Sequence, residues 1–213
     1  MKLDLVNKIY VCHYTKLIER VEPLKTQLDK NKLEAEWILS NNKEDLNIEV
    51  LKKEFVNIDK NFQLTGHYRK MKMSELSLFL KHYEIWKDMS NNNIQNALIL
   101  EDDALLSDNF VSLFNEYTKN IDKDYDIVWV GSCCNLHTIG SSNLIKTNGS
   151  RCTHGYLLNL KTVNKLIESS KYNNYPVDFY FNYIINKFNL NNYWMEPDLI
   201  SQNPKFETSI QNG

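Results

Sequence analysis

The stretch Asn96-Ala-Leu-Ile-Leu-Glu-Asp-Asp-Ala104 decides the fold, because a run of aliphatic residues stops abruptly on three acids. Residues 97–100 are apolar without alternation, which is typical of a strand buried on both faces inside a parallel α/β sheet. Side chains alternate across a strand, so Glu101 and Asp103 are expected to project to one side and Asp102 to the other.

These acids follow the carboxyl end of a strand, which is where open α/β proteins bind their ligands. Hard carboxylate oxygens suit Mg²⁺ or Mn²⁺, and three neighbouring acids disfavour their joint ionisation unless a positive group is present. The stretch therefore predicts a metal site formed by Glu101 and Asp103. The alternative is that the acids are solvated loop residues or cap a helix that starts near Asp108.

Length and composition set bounds on the class of protein. The 213 residues suit a single domain, with a core over residues 8–200 and an irregular tail over residues 201–213. The formal net charge of −2 gives no general attraction to nucleic acid or to an anionic membrane. No window approaches the ~18 apolar residues of a membrane-spanning helix, and no signal peptide is evident at residues 1–11.

The four cysteines, Cys12, Cys133, Cys134 and Cys152, lack the spacing of metal ligands. Adjacent residues such as Cys133 and Cys134 rarely bridge one another. We therefore expect reduced thiols in a cytoplasmic protein, peripheral to a membrane only through its acceptor.

Strand and helix patterns alternate along the chain, which predicts an α/β fold with a mostly parallel sheet. Strands are predicted over residues 8–14, 34–39, 97–100, 125–131, 152–159 and 193–195, with an edge strand over 144–147 inside a loop at 135–151. Helices are predicted over residues 16–31, 48–55, 73–89, 108–120 and 160–170, and a last helix opens at residues 175–178. Thr15 and Ser74 are predicted helix caps, and Pro23 marks either a kink or a first helical turn.

Several polar residues outside the acidic stretch are candidates for the same site. Glu75 and His82 lie on one stripe of the helix over residues 73–89, apart from its apolar face; the alternative for each is a solvated position. Gly131 ends a strand and permits the close approach of a ligand. Asp178 lies in the first turn of a helix, where an acid also interacts favourably with the helix dipole.

Six spaced motifs resemble those of glycosyltransferase family 25, across roughly residues 8–200. The most specific is 98–104 (Leu-Ile-Leu-Glu-Asp-Asp-Ala), which resembles the family signature almost letter for letter. The others, in chain order, are 9–11 with Glu19-Arg20, 74–86, 126–131 (Asp-Ile-Val-Trp-Val-Gly), 153–156 (Thr-His-Gly-Tyr) and 176–178 (Pro-Val-Asp).

The resemblance implies a GT-A-type, Rossmann-like α/β sandwich that uses a UDP-hexose (UDP-galactose or UDP-glucose) and Mn²⁺ or Mg²⁺. It implies an inverting transfer to a hydroxyl of a glycan, lipooligosaccharide or protein acceptor. Glu101 and Asp103 would hold the metal, and Asp178 would be the catalytic base, with His154 as the second candidate. The implied donor contacts are Tyr10, Arg20, Glu75, His82, Asp102, Gly131 and Thr153.

The chain also departs from the family pattern. Ser77 and Lys81 stand where the family usually has Gly and Ser, and residues 11–14 differ from the usual Ile-Asn-Leu. These differences motivate a rival interpretation, a catalytically inactive module that binds a nucleotide sugar or has a structural role. A metal-dependent phosphotransfer enzyme is a second rival, although the chain has no Walker-type glycine loop.

Overall fold

The computed structural model describes residues 2–64, 66–133 and 142–207. In these ranges the strands are β1 Lys8–Cys12, β2 Glu36–Ile38, β3 Phe62–Leu64, β4 His67–Arg69, β5 Asn96–Glu101, β6 Ala104–Leu106, β7 Ile127–Cys133, β8 Leu144–Thr147, β9 Arg151–Asn159, β10 Asn192–Met195 and β11 Ile200–Gln202. The helices are α1 Val21–Lys30, α2 Ile48–Leu51, α3 Met73–Asn91, α4 Phe110–Thr118, α5 Leu160–Ser170 and α6 Val177–Phe188.

Within the described ranges, seven strands form the central sheet in the order β2-β1-β5-β9-β7-β10-β8. β2, β1, β5, β7 and β10 run in one direction, and β9 and β8 run in the other. The predicted α/β fold with a mostly parallel sheet is thus confirmed. The antiparallel β9 at its centre was not part of the prediction.

Two hydrophobic cores cover the two faces of this sheet, and alternate residues of β5 divide between them. Ala97 and Ile99 pack with the buried faces of α3, α5 and α6, whereas Leu98 and Leu100 pack with α1 and α4. All four side chains are fully buried. The uninterrupted apolar run of β5 therefore follows from having helices on both sides of the strand.

Two helix starts differ from the predictions made from the sequence. α1 begins at Val21, after a short 3-10 turn over Ile18–Arg20, so Thr15 does not cap it and Pro23 lies in its first turn. α3 is capped at Lys72 and not at Ser74, because the carboxylate of Glu75 accepts the backbone N–H of Lys72 at 2.7 Å.

Short strands form in segments for which no strand was predicted. β11 pairs antiparallel with β6, so the prediction of an irregular tail from residue 201 is wrong at Ser201 and Gln202. β3 and β4 pair antiparallel with each other, between the helices predicted over residues 48–55 and 73–89. The end of the predicted tail, residues 208–213, lies outside the described residues, as do residues 134–141 of the predicted loop.

The cysteines correct another expectation. A disulfide joins Cys133 at the end of β7 to Cys152 in β9, and Cys12 is a free, buried thiol. The prediction that these thiols are reduced is therefore wrong for Cys133 and Cys152, which the pairing of β7 with β9 brings together. Cys134 lies outside the described residues. None of the helices in the described part of the chain is both long and apolar enough to cross a membrane.

Candidate functional site

Three acids line one small cavity at the carboxyl end of β5. Glu101 is the last residue of the strand, and Asp102 and Asp103 form the turn into β6. The cavity has a volume of about 90 Å³, and the side chains of Arg20 and Lys81 also line it. Such a volume admits a metal ion and a few oxygen atoms.

Asp102 is held by groups of the protein itself. Its Oδ2 lies 2.8 Å from Nδ1 of His13 and 3.2 Å from the backbone nitrogen of Tyr14, and its Oδ1 accepts a hydrogen bond from Arg20 Nη1 at 2.8 Å. Arg20, which is 4 % exposed, is therefore an internal partner of the acids and not a surface residue. His13 was not predicted as a site residue, although its position near the carboxyl end of the first predicted strand could have indicated it.

Asp103 is less well compensated than Asp102. Its Oδ2 lies 3.4 Å from Arg20 Nη1, and its buried Oδ1 has no hydrogen-bond partner among the described residues. The pKa of Asp103 is raised to about 7: burial is the largest cause, the charges of Glu101 and Asp102 add to the rise, and Arg20 opposes it. A buried carboxylate oxygen in this setting fits an additional positive group.

Glu101 is held in its ionised form. The hydroxyl of Thr153 donates to Glu101 Oε1, and His82 Nε2 lies 3.8 Å from the same oxygen, which is an electrostatic distance and not a hydrogen bond. Burial raises the pKa of Glu101, but His82, Thr153 and His154 outweigh it, so that the pKa is lowered. The structure thus brings Thr153 and His82 beside the first of the three acids.

The carboxylates of the cavity offer part of the coordination shell of a divalent cation. The described residues contain no group of three or more His, Cys, Asp or Glu side chains arranged to hold a metal ion. Glu101 and Asp103 offer two carboxylates, and small divalent ions in phosphate sites commonly complete their coordination with phosphate oxygens and water. The unpartnered Oδ1 of Asp103 fits such an ion, which would share the site with the phosphates of a donor.

The two residues that depart from the family pattern also line the cavity. Lys81 is buried; its Nζ donates to the carbonyl of Ser40 and lies 3.3 Å from Asn42 Oδ1, and burial lowers its pKa. Ser77, one turn earlier on the same face of α3, donates to the carbonyl of Asn41 at 2.6 Å. These hydrogen bonds hold residues 40–42 beside the acids. Lys81 also adds a second positive charge to the site, besides that of Arg20.

The two candidate bases have different surroundings. Asp178 is partly buried in the first turn of α6 and accepts the backbone N–H of Phe179 at 2.9 Å. Burial raises its pKa, Glu101 adds to the rise, and Arg151 opposes it. His154 is only 2 % exposed, and burial lowers its pKa. The backbone of Ile200 is close enough to oppose this shift, but neither ring nitrogen meets the geometry of a hydrogen bond in the described chain.

The structure does not bring Tyr10 and Glu75 to the acidic cavity, in contrast to the expectation for donor contacts. The Tyr10 side chain is fully buried and its hydroxyl donates to Asp88 on α3. Glu75 forms two hydrogen bonds of 2.6 Å with the guanidinium of Arg69, besides capping α3. Both polar groups are thus engaged in holding the fold together.

Gly131 is approached closely, but by the chain itself. A Cβ atom at this position would overlap the backbone oxygen of Ile200. Gly155, which faces Gly131 across β7 and β9, would place a Cβ 2.6 Å from Cδ1 of the same isoleucine. The expectation that Gly131 makes room for a ligand is therefore corrected: both glycines make room for β11.

Comparisons with known proteins concern the family and the fold of the chain. Residues 6–147, more than half of the chain, match the profile of glycosyltransferase family 25 (LPS biosynthesis protein). A glycosyltransferase 25 family member of Drosophila melanogaster is 28% identical over 175 residues, which cover 78% of this chain and 28% of the relative. Human procollagen galactosyltransferase 2 is 25% identical over 129 residues, which cover 56% of this chain and 21% of the relative.

The chain spans less than a third of the length of these curated relatives. Among solved structures, it is similar to a glycosyltransferase involved in the glycosylation of the major capsid of PBCV-1, with a TM-score of 0.52 and 10% identity. The match covers 94% of this chain and 93% of that one. At this level of identity the likeness concerns the fold, which is of the GT-A type.

Proposed function

Because the chain belongs to glycosyltransferase family 25, we propose that it transfers a hexose, galactose or glucose, from a UDP-sugar to a hydroxyl of a glycan or glycoprotein acceptor. The observation that carries the proposal is the acidic cavity, where a buried oxygen of Asp103 has no partner among the residues that the structure describes and lies beside an ionised Glu101. The galactosyltransferase name of a human relative favours galactose as the hexose.

The roles of the residues follow from their surroundings. Glu101 and Asp103 would hold Mn²⁺ or Mg²⁺, which when bound neutralises the charge that develops on the departing diphosphate. Thr153 and His82 keep Glu101 ionised, and Arg20 fixes Asp102 and Asp103 at the cavity.

A base must take the proton of the attacking hydroxyl if the transfer is a direct, inverting displacement. Asp178 suits this role because it is a partly buried carboxylate whose charge interacts with that of Glu101. His154 remains the second candidate, although its burial makes it less accessible to an acceptor.

The proposal is tested by donor binding and by release of UDP. Thermal unfolding of the wild-type chain should show a stabilisation by UDP-galactose or UDP-glucose that requires Mn²⁺, about 2.7 kcal/mol at 100 times the dissociation constant. Asp103→Ala should lose this stabilisation and still fold, since removing one acid relieves repulsion among three. Asp108→Ala is the matched control, because the Asp108 side chain is 94% exposed, and it should behave as the wild type.

Unchanged Mn²⁺-dependent donor binding by Asp103→Ala would contradict the assignment of the metal ligands. Binding without UDP release, with each UDP-hexose and a range of acceptors, would favour the inactive binding module. The cation Lys81 in the cavity is the observation that supports this second interpretation. Turnover of nucleoside triphosphates without sugar transfer would favour a phosphotransfer enzyme.

A further inference from the structure

A second and larger cavity lies between α6 and the start of β9. Its volume of about 730 Å³ is in the range of small-molecule binding sites. Phe179 and Arg151 line it, and both are neighbours of the candidate base: Phe179 donates its N–H to Asp178, and the charge of Arg151 lowers the pKa of that carboxyl. The cavity therefore adjoins Asp178, whose charge also interacts with Glu101 in the acidic cavity.

Aromatic rings form one part of the lining. Tyr175 and Tyr183 lie with their ring centroids 6.0 Å apart and their planes at 27°, and Phe179 also faces the cavity. Tyr183 is 45 % exposed, although it is a large aromatic residue. Exposed aromatic faces beside polar groups suit the apolar C–H face of a sugar ring, because each tyrosine joins an apolar body to a polar tip.

Side-chain amides form a second part of the lining. Asn148, Asn182 and Asn186 all contribute. The side-chain amide of Asn182 forms two hydrogen bonds with the backbone of Ser150: its oxygen accepts the N–H and its nitrogen donates to the carbonyl. Asn186 donates its Nδ2 to the carbonyl of Asn182, which leaves its Oδ1 as an acceptor. Amides carry both donors and acceptors and thus match the hydroxyls of a saccharide.

Among the described residues of the lining, the charges are all positive: Arg151 and Lys187 line the cavity and no carboxylate does. No carboxylate in the described part of the chain forms an ion pair with either cation. The guanidinium of Arg151 lies 5.3 Å from the ring centre of Phe179, which keeps it at the cavity wall. Lys187 Nζ already lies 3.3 Å from Ser169 Oγ, so a neutral sugar would leave chiefly the charge of Arg151 without an anionic partner, whereas a carboxylate or phosphate would pair with it.

We propose that this cavity is the acceptor site and that it takes a saccharide carrying a carboxylate or a phosphate group, with a free hydroxyl directed toward Asp178. The aromatic rings pack against the sugar and the two cations bind its charged group. The assignment of the cavity as an acceptor site rests on the proposed glycosyl transfer, but the binding of an anionic saccharide does not.

Binding is measured on the full chain without a donor, by ligand-observed NMR with three probes. Methyl β-D-glucuronide and glucose 6-phosphate carry the two kinds of charge, and methyl β-D-glucoside is the neutral counterpart. At least one charged probe should bind about tenfold more tightly than the glucoside, as expected for one charge-assisted contact. Arg151→Gln should remove this preference, while Arg151→Lys should retain part of it.

The aromatic lining is tested separately. Tyr183→Ala should weaken the binding of charged and neutral probes alike, by about fivefold or more, because it removes the surface on which the ring packs. Tyr172→Ala is the matched control, since Tyr172 is 61 % exposed and lies outside the lining. Its binding should equal that of the wild type.

Equal binding of charged and neutral probes, or a preference that survives Arg151→Gln, would overturn the anionic-saccharide proposal. Adding UDP-galactose and Mn²⁺ then tests the acceptor role. If UDP is released with another acceptor while a bound charged probe is never glycosylated, the acceptor assignment is wrong. Failure of the donor experiment with Asp103→Ala leaves the binding result intact, so the failures of the two proposals are distinguishable.

Discussion

Asp178, the proposed catalytic base, shows how the surroundings of one residue change its affinity for a proton. Its carboxyl is removed from water in the first turn of α6, and burial raises its pKa above the ordinary value of 3.8. The N–H of Phe179 and the charge of Arg151 limit this rise. A carboxylate with a raised pKa is a better proton acceptor once it is ionised, because Brønsted behaviour favours a pKa nearer the working pH.

For activity, we expect Asp178→Asn to retain Mn²⁺-dependent donor binding and to lose transfer by about 10²-fold or more. In the wild type, kcat/KM should rise with pH through the raised pKa of Asp178, because only the ionised carboxyl accepts a proton. Steady-state rates between pH 4 and pH 8 provide the measurement. Full transfer activity of the asparagine variant would show that Asp178 is not the base, and His154 would then be the next candidate.

For stability, the same substitution should act in the opposite direction. A carboxyl whose pKa is raised in the folded state stabilises the fold below its unfolded pKa, and this contribution is lost as pH rises through the folded pKa. Asp178→Asn should thus unfold at a higher temperature than the wild type at pH 7, with the difference shrinking toward pH 4. The asparagine oxygen can still accept the N–H of Phe179, so the helix start is retained. A lower Tm for the variant at pH 7 would contradict the expectation that the ionised Asp178 carboxyl destabilises the fold.

At the scale of elements, β11 is the segment that closes the site from the side of β7 and β9. Ile200 crosses Gly131 and Gly155, which face each other on those strands, and Gln202 lines the acidic cavity. Asn203 then donates its N–H to the carbonyl of Asp103 at 2.7 Å. The last described strand is thus part of the support of the acids.

We expect Gly131→Ala to destabilise the fold more than Gly155→Ala does. A Cβ at Gly131 would meet the backbone oxygen of Ile200, which can move only if β11 moves, at a cost of about 1–3 kcal/mol. A Cβ at Gly155 would meet the Ile200 side chain, and Ile200→Ala in the same chain should relieve part of that clash. Urea unfolding of the single and double variants measures both effects. If Ile200→Ala restored the stability of Gly131→Ala, the clash at Gly131 would not come from the backbone of Ile200.

At the scale of the whole molecule, one covalent bond joins two strands that lead to the site. The Cys133–Cys152 disulfide closes a loop between residues separated by 19 positions, and Cys152 directly precedes Thr153, the partner of Glu101. A loop of this length restricts the unfolded chain, which in the chain-entropy description stabilises the fold by about 3 kcal/mol.

We therefore expect a reducing agent to lower the Tm of the wild-type chain. Cys152→Ser should have a similarly lowered Tm and should not respond to the reducing agent, which makes it the control for non-specific effects. Alkylation of the unfolded, unreduced protein followed by mass spectrometry checks the pairing directly. Free thiols at both Cys133 and Cys152 would contradict it.

The sequence predicted the elements that carry a strong periodic or apolar signal, such as β5, α3 and α5. The missed strands β3, β4, β6 and β11 each have three residues. Three residues are too few to show an alternation, and such strands form because distant segments pair with them. The disulfide was missed for a similar reason, since the pairing of β7 and β9 brings its cysteines together.

By itself, the sequence determined that a buried strand ends on three acids and that the helix and strand patterns build an α/β sheet, because both are local properties of the chain. Only the tertiary structure decided which charge each acid meets. Arg20, which is 82 positions from Asp102 along the chain, pairs with that acid, and one oxygen of Asp103 has no hydrogen-bond partner in the described part of the chain. Glu101 instead meets Thr153 and His82. The physical reason is that ion pairing and desolvation depend on distance and burial, which are set when remote segments pack together.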